Sequence, residues 1–284
     1  MILFKQVEPI QQALDKFRQE GRSIGFVPTM GALHRGHISL LEAAQKENDA
    51  VVCSIFVNPT QFNDPSDFEK YPVTLEKDIE LLIQSHTNIL FLPYVSEIYP
   101  GGTNNLPNYE IGFLETILEG KYRPGHFQGV CQVMHRLLEI ILANNLYMGQ
   151  KDYQQCMVVK RLLELTQLPT QLHTCSTLRE PDGLAMSSRN TRLSPAQREQ
   201  AVTISRVLNE ICNNLEPGFT SPLLQSAEQK LVNAGFKVDY VSLANADNLE
   251  LLDNWDGQQP VVALAAAYLG EVRLIDNMLI QSGK

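Results

Sequence analysis

Long apolar runs are missing from this chain of 284 residues. No stretch approaches the ~18–20 residues that a membrane span requires, so no spanning segment is expected. Runs of positive charge are missing too. No five Lys or Arg follow one another, and 23 basic residues stand against 32 acidic ones, for a net charge of −9. That balance repels phosphate backbones, so nucleic acid is not an expected partner, while small anions remain open to a locally positive pocket. Paired cysteines are absent. Cys53, Cys131, Cys156, Cys175 and Cys212 form no CxxC and keep no zinc-ligand spacing with histidine, the pattern of reduced thiols in a cytoplasmic protein. The opening Met1-Ile-Leu-Phe-Lys5 places no charged region ahead of a long apolar stretch, so no secretory signal is expected. The common phosphate cradles are missing as well. There is no GxxxxGK followed by Ser or Thr, and no GxGxxG.

What is present is the composition of a folded globular protein, 44% hydrophobic and 19% charged. Short apolar runs at 23–27, 50–57, 88–92 and 145–148 read as strands, and the β-branched 50–57 as one covered on both faces. Between them lie helical patterns at 38–46, 75–85, 126–143 and 153–166. The clearest is 126–143, where Val130, Val133, Met134, Leu137, Leu138 and Ile141 form one wide apolar stripe. Strand–helix alternation predicts an α/β fold, a Rossmann-like parallel sheet, over residues 1–176. Beyond the loop 177–190 the pattern changes. Two helical stretches, 195–214 and 223–233, precede strand-like segments at 237–243, 261–268 and 272–280, the last two flanking Gly270-Glu271 as a hairpin. A smaller C-terminal α+β domain is expected over 177–284.

Four segments carry chemistry. Pro28-Thr-Met-Gly-Ala-Leu-His-Arg-Gly-His37 lies between a strand and a helix, where doubly wound sheets hold ligands. His34 and His37, three apart at a helix start, join unpaired backbone N–H groups and the positive end of the helix dipole, and Gly36 leaves room for close approach. His-x-Gly-His in this position resembles the signature of the nucleotidyl-transfer superfamily that includes class I aminoacyl-tRNA synthetases. The plainer readings are a helix cap or a metal pair, and a zinc site needs a third ligand that has no evident place. Asn58 and Gln61, after the strand 50–57, offer neutral amides to a polar substrate, and they equally suit an Asx turn. Gly149-Gln-Lys-Asp152 follows another strand. Lys151 suits phosphate oxygens and Asp152 a magnesium shell, although Lys-Asp at a helix start is also ordinary capping. Met186-Ser-Ser-Arg189 offers two hydroxyls and a guanidinium to a phosphate chain.

Taken together, PTMGALHRGH (28–37), SIFVNPTQF (54–62), RPGHFQGV (123–130), GQKDYQQ (149–155) and REPDGLAMSSRN (179–190) resemble, in order and across most of the chain, the pantothenate synthetase family. The resemblance implies ATP-dependent condensation of pantoate with β-alanine, releasing AMP and pyrophosphate through a pantoyl adenylate. It implies an ATP site of Met30, Gly31, Ala32, Leu33, His34, Arg35, Gly36 and His37, with Gly149, Gln150, Lys151, Asp152, Leu178, Met186, Ser187, Ser188 and Arg189. Of these, His34, His37, Lys151, Ser187, Ser188 and Arg189 would serve the chemistry. Gln61 and Gln155 would hold pantoate, and Asn58, Tyr71, Arg123 and His126 fall at further pocket or gate positions. Magnesium is implied at Asp152 and Asp78, with Lys77 replacing an acid that some relatives carry. A homodimer and a C-terminal domain that covers the active site are implied too. A superfamily relative that leaves the nucleotide on its product, or a non-catalytic nucleotide-binding module, is the rival reading. Free AMP separates them.

Overall fold

The computed structural model describes residues 1–63 and 65–280. The order of strand and helix within it follows from where the apolar runs fall. Ile2–Phe4 is β1 and Val7–Gln19 is α1. Ile24–Thr29 (β2) and Ala50–Ile55 (β3) are the two short apolar runs, and nearly every residue of both is buried, as a doubly covered sheet demands. Arg35–Glu47 (α2) joins them. Pro65–Glu69 (α3) and Leu75–Gln84 (α4) lead to Ile89–Phe91 (β4). Val95–Ile98 (α5), Leu118–Tyr122 (α6) and His126–Ile141 (α7) follow, then Asn145–Gly149 (β5), Tyr153–Thr166 (α8) and Gln171–Cys175 (β6).

The six strands make one parallel sheet in the order β1-β4-β3-β2-β5-β6. In register, Ile24–Thr29 runs beside Ala50–Ile55, and Gly25 and Phe26 pair with Asn145 and Leu146 on the other side. Val27, Leu41, Ala44, Cys53, Leu82 and Leu90 pack without exposure between the sheet and its helices. Burial pushes the Cys53 thiol up to about 12, which keeps it a small apolar filler. Residues 1–150 and 155–176 form one compact unit; residues 151–154 group with a second unit that runs from Thr177 onward. The α/β expectation is met, and the structure adds α1, β1 and β6.

The second unit contains Pro195–Ala201 (α9), Thr203–Asn214 (α10), Gly218–Phe219 (β7), Ser221–Asn233 (α11), Lys237–Asn245 (β8), Asn254–Trp255 (β9), Val261–Leu269 (β10) and Val272–Ile280 (β11). The stretch 195–214 is two helices because Ser194 and Gln197 cap the first reciprocally and the second restarts after Val202. β11, β10 and β8 form an antiparallel sheet, with Leu269 opposite Val272 across the Gly270 turn. Gly270 sits at φ +61°, a left-handed value that glycine adopts without strain. Leu208, Ile211 and Leu231 bury against Val261, Ala263 and Ala265 to make this unit's own core.

One carboxylate sets the loop that leaves β2. Asp78 on α4 is 1% exposed, and its oxygens accept the backbone N–H groups of Ala32 at 2.9 Å and Leu33 at 2.8 Å. The Thr74 hydroxyl donates to it at 3.0 Å. Gly31 at φ +82° and Ala32 at φ +48° turn those amides inward, a conformation that costs a non-glycine residue something and needs an anchor. A Cβ on Gly31 would sit 3.1 Å from Asp78 Oδ2, so glycine also makes room. Asp78, expected as a magnesium ligand, is thus engaged as the anchor of this loop. Asp78→Ala should lower unfolding free energy by about 3 kcal/mol, the scale for orphaning buried donors of a charged acceptor. Urea denaturation measures it, and a loss under about 1 kcal/mol would contradict the anchoring role.

Candidate active site

The sheet grows from β2 in both directions, with β3 and β4 on one side and β5 and β6 on the other. Divergent crossovers leave a crevice at the carboxyl ends of β2 and β5, where open α/β sheets hold ligands. Residues 30–37 leave the end of β2, and Gly149 and Gln150 lie at the end of β5.

His34 is the N-cap of α2, and its Nδ1 accepts the Gly36 backbone N–H at 3.1 Å. His37 returns the motif, its Nδ1 accepting the His34 backbone N–H at 3.2 Å. A backbone N–H can only donate, so each ring offers a lone pair at Nδ1 and, when neutral, carries its proton at Nε2. The two rings lie against each other, tilted by 38°, with centroids 4.1 Å apart. Two Nε2–H donors therefore gather at the positive end of a 13-residue helix, an arrangement suited to anionic oxygens. The Arg35 guanidinium instead runs along α2 to Glu42, 2.7 Å away.

Beside this loop, Gln61 ends a short 3-10 turn, Pro59–Gln61, and is 8% exposed. Its Nε2 donates to Met30 Sδ at 3.0 Å, and its Oε1 accepts from Asn58 Nδ2 at 3.2 Å. Asn58 is 1% exposed; its Nδ2 also donates to the Gly129 carbonyl at 3.1 Å, and its Oδ1 accepts the Tyr99 hydroxyl at 2.8 Å. Burial pushes the Tyr99 phenol up, so it stays a donor. Asn58 accordingly orients Gln61 through hydrogen bonds inside the fold.

His126, 5% exposed at the start of α7, holds the same turn from behind. Its Nε2 lies 3.0 Å from Arg123 Nη1 and its Nδ1 2.7 Å from the Gln61 carbonyl oxygen. A guanidinium only donates, so Nε2 accepts and Nδ1–H donates, the opposite tautomer to His34 and His37. Glu119 lies 3.8 Å from Arg123 and completes the row. Helix α7 approaches closely enough at Gly129 that a Cβ there would meet the Thr60 carbonyl oxygen at 2.2 Å. Tyr71, 7% exposed, packs edge-on against Phe62. Gln155 lies in the first turn of α8, and Cys156 beside it donates to the Gly149 carbonyl at 3.5 Å.

In the second unit, Lys151 Nζ lies 3.9 Å from Asp152, and Asn277 Nδ2 donates to the Lys151 carbonyl at 2.9 Å. Leu178 and Met186 are joined where Met186 N–H meets the Leu178 carbonyl at 3.0 Å. Ser187 then caps a 3-10 turn, Ser188–Arg192, accepting the Arg189 N–H at 3.3 Å. The structure thus groups Met30, His34, His37, Asn58, Gln61, Tyr71, Arg123, His126, Gly149, Gln150 and Gln155 in the first unit. Lys151, Asp152, Leu178, Met186, Ser187, Ser188 and Arg189 belong to the second.

Sequence reasoning missed Tyr99, Glu119, Gly129, Asp276 and Asn277. Gly129 left a signal, because a glycine inside a strong helical stripe asks for a packing reason. Asp276-Asn277, two adjacent polar residues at the centre of a mostly apolar strand, left another. Tyr99 and Glu119 left none.

Known proteins are similar to this chain along its length. A family model described as pantoate-beta-alanine ligase matches residues 2–279. The pantothenate synthetase of Azobacteroides pseudotrichonymphae is 44% identical, over 98% of this chain and 99% of its own length. That of Cytophaga hutchinsonii is 42% identical, over 99% of both. The crystal structure of pantothenate synthetase from Thermus thermophilus aligns with a TM-score of 0.89 at 38% identity, covering 98% of this chain and 99% of that one. A pantoate-beta-alanine ligase from Francisella tularensis, crystallised with β,γ-ATP and β-alanine, aligns at 0.81 with 39% identity, covering 100% and 99%. Matched in sequence and in fold along nearly its whole length, the chain belongs to the pantoate–β-alanine ligase family.

Proposed function

We propose that this ligase joins pantoate to β-alanine in two steps, with His34 and His37 acting at the phosphorus under attack. A pantoate carboxylate oxygen attacks the α-phosphorus of ATP; the bond to the bridging oxygen breaks, and pantoyl adenylate and pyrophosphate result. The unprotonated amine of β-alanine then attacks the acyl carbonyl, and AMP leaves. No protein nucleophile is required, because the mixed anhydride already activates the carboxylate.

The tautomers of the two histidines carry this reading. Rings whose Nδ1 atoms are occupied by backbone N–H groups act as Nε2–H donors, and donors fixed beforehand stabilise charge that builds on a phosphoryl oxygen without reorganising. Met30, Gly31, Ala32, Leu33, Gly36, Gly149 and Gln150 are the backbone framework for the nucleotide, and the family likeness adds Leu178 and Met186 as further nucleotide-binding residues. Arg35, paired along α2 with Glu42, contributes its backbone. Gln61 and Gln155 hold pantoate through amides that do not compete for protons, and Asn58 and His126, with Arg123, keep Gln61 in place. Tyr71 forms an aromatic wall. Lys151, Ser187, Ser188 and Arg189 offset charge on the departing pyrophosphate.

Among the described residues no cluster of three or more His, Cys, Asp or Glu side chains forms a metal site by itself. Magnesium fits as a partner of the phosphates, with Asp152, 48% exposed, as the protein carboxylate, while the buried Asp78 belongs to the loop. So held, it would neutralise charge on the phosphate chain. A homodimer and a cytoplasmic location complete the reading and rest on the family likeness. Among the described residues no helix is long and apolar enough to cross a membrane.

Incubation with ATP, magnesium and pantoate, with and without β-alanine, followed by mass spectrometry, tests the assignment. Pantothenate should appear one-for-one with free AMP, and only with both organic substrates. A product that keeps the nucleotide would sink it. His37→Ala should slow adenylate formation by roughly 10²–10³, the cost of one transition-state donor, and unchanged single-turnover rates would remove His37 from the mechanism.

A further inference from the structure

Strand β11 reads Val-Arg-Leu-Ile-Asp-Asn-Met-Leu-Ile, and the two polar residues at its centre, Asp276 and Asn277, are each 2% exposed. The Asp276 carboxylate receives Arg179 twice, Nη1 at 2.7 Å and Nη2 at 3.0 Å, and also accepts the Asn277 backbone N–H at 2.7 Å. Arg179 donates further to the Asn277 carbonyl at 3.2 Å and to the Gly183 carbonyl at 3.1 Å. That guanidinium therefore clamps both the strand and the turn 180–184, which the Glu180 N–H closes on the Leu184 carbonyl at 2.8 Å. Arg179 pairs with Ala185 across this turn, and Met186 with Leu178, so the direction in which 186–189 departs is set at Arg179.

Asn277 faces a different segment. Its Nδ2 donates to the Lys151 carbonyl at 2.9 Å, across 126 positions of sequence. Two residues on, the Tyr153 hydroxyl donates to the Ala246 carbonyl at 2.6 Å, so the segment that carries Lys151 and Asp152 is held at both ends within this unit. A buried bidentate ion pair is a poor device for stability, since apolar residues of similar volume serve as well or better. What it provides here is position.

We propose that Asp276 and Asn277 are positioning residues for adenylate formation: one dipeptide of β11 holds the backbone of Lys151 on one side and the root of the 186–189 loop on the other. The cations that meet the phosphates are thereby referred to a single rigid strand. This rests on the reading that Lys151 and Arg189 act on the phosphates.

The experiment compares Asn277→Ala, Lys151→Ala and the double variant in two half-reactions. One is pyrophosphate release from ATP and pantoate; the other is acyl transfer from supplied pantoyl adenylate to β-alanine. Asn277→Ala should lower kcat/KM for ATP in the first by about 10²-fold, the scale of a 1 Å misplacement, and leave the second unchanged. In the Lys151→Ala background the same change should cost no more than about twofold, because its effect runs through Lys151. A full loss in that background, or equal losses in both half-reactions, marks Asn277 as merely structural and overturns the proposal. So does wild-type adenylation by Asn277→Ala. Should the alanine variant fail to fold, Asn277→Asp keeps the shape, removes the donor and is read the same way. If Lys151→Ala itself releases pyrophosphate at the wild-type rate, the assignment of Lys151 falls, and the proposal with it. If instead Lys151→Ala is slow and Asn277→Ala is not, only the proposal falls.

Discussion

Two backbone N–H groups, those of Ala32 and Leu33, point into the fold and meet the carboxylate of Asp78, which is almost wholly removed from water. A buried carboxylate is costly unless its oxygens are satisfied, and inward amides in a left-handed turn are costly unless they are received. Each solves the other's problem. The turn then has one shape, and the start of α2 falls where the loop delivers it. The positions of His34, His37 and Met30 descend from that exchange.

From this fixed start, the hydrogen-bond partners of each histidine set its tautomer. Backbone N–H groups of the helix's first turn take up Nδ1 of both histidines, so the donors presented are Nε2–H. His126 carries its proton on the other nitrogen, because Arg123 donates to Nε2 and the Gln61 carbonyl receives from Nδ1. Three histidines thus do two kinds of work, and the difference lies in the partner each one meets. A ring whose Nδ1 accepts from a helix start keeps its proton on Nε2. A ring between a guanidinium and a carbonyl is a brace.

The same division runs through the amides. Gln61 lies against Met30, while Asn58, three positions earlier, is enclosed by Tyr99, Gly129 and Gln61 itself. Both are neutral amides at a strand end, and the partners each one meets differ. In the second unit Arg179 and Arg189 are ten positions apart in one loop. Arg179 is bound into the fold by Asp276, and Arg189 belongs to a turn capped by Ser187.

Much of the fold was legible in the sequence. The apolar runs at 50–57 and 145–148, the stripe over 126–143 and the Gly270-Glu271 turn required no partner to be read, because a doubly covered strand, a one-faced helix and a hairpin each write a local period. The polar alternation of Gln171–Cys175 hid an edge strand, and the short Ile2–Phe4 hid another. The residue types for an attack on phosphate and their order along the chain were also written there, since helix start, histidine spacing and strand ends are local matters. Only the tertiary structure decided that Asp78 anchors a loop 45 positions away and that Asn277 reaches Lys151 across 126. A hydrogen bond between distant residues leaves no period in the chain. It exists only when the sheet has brought both ends within three ångströms of one another, and burial has then withheld water as the alternative partner.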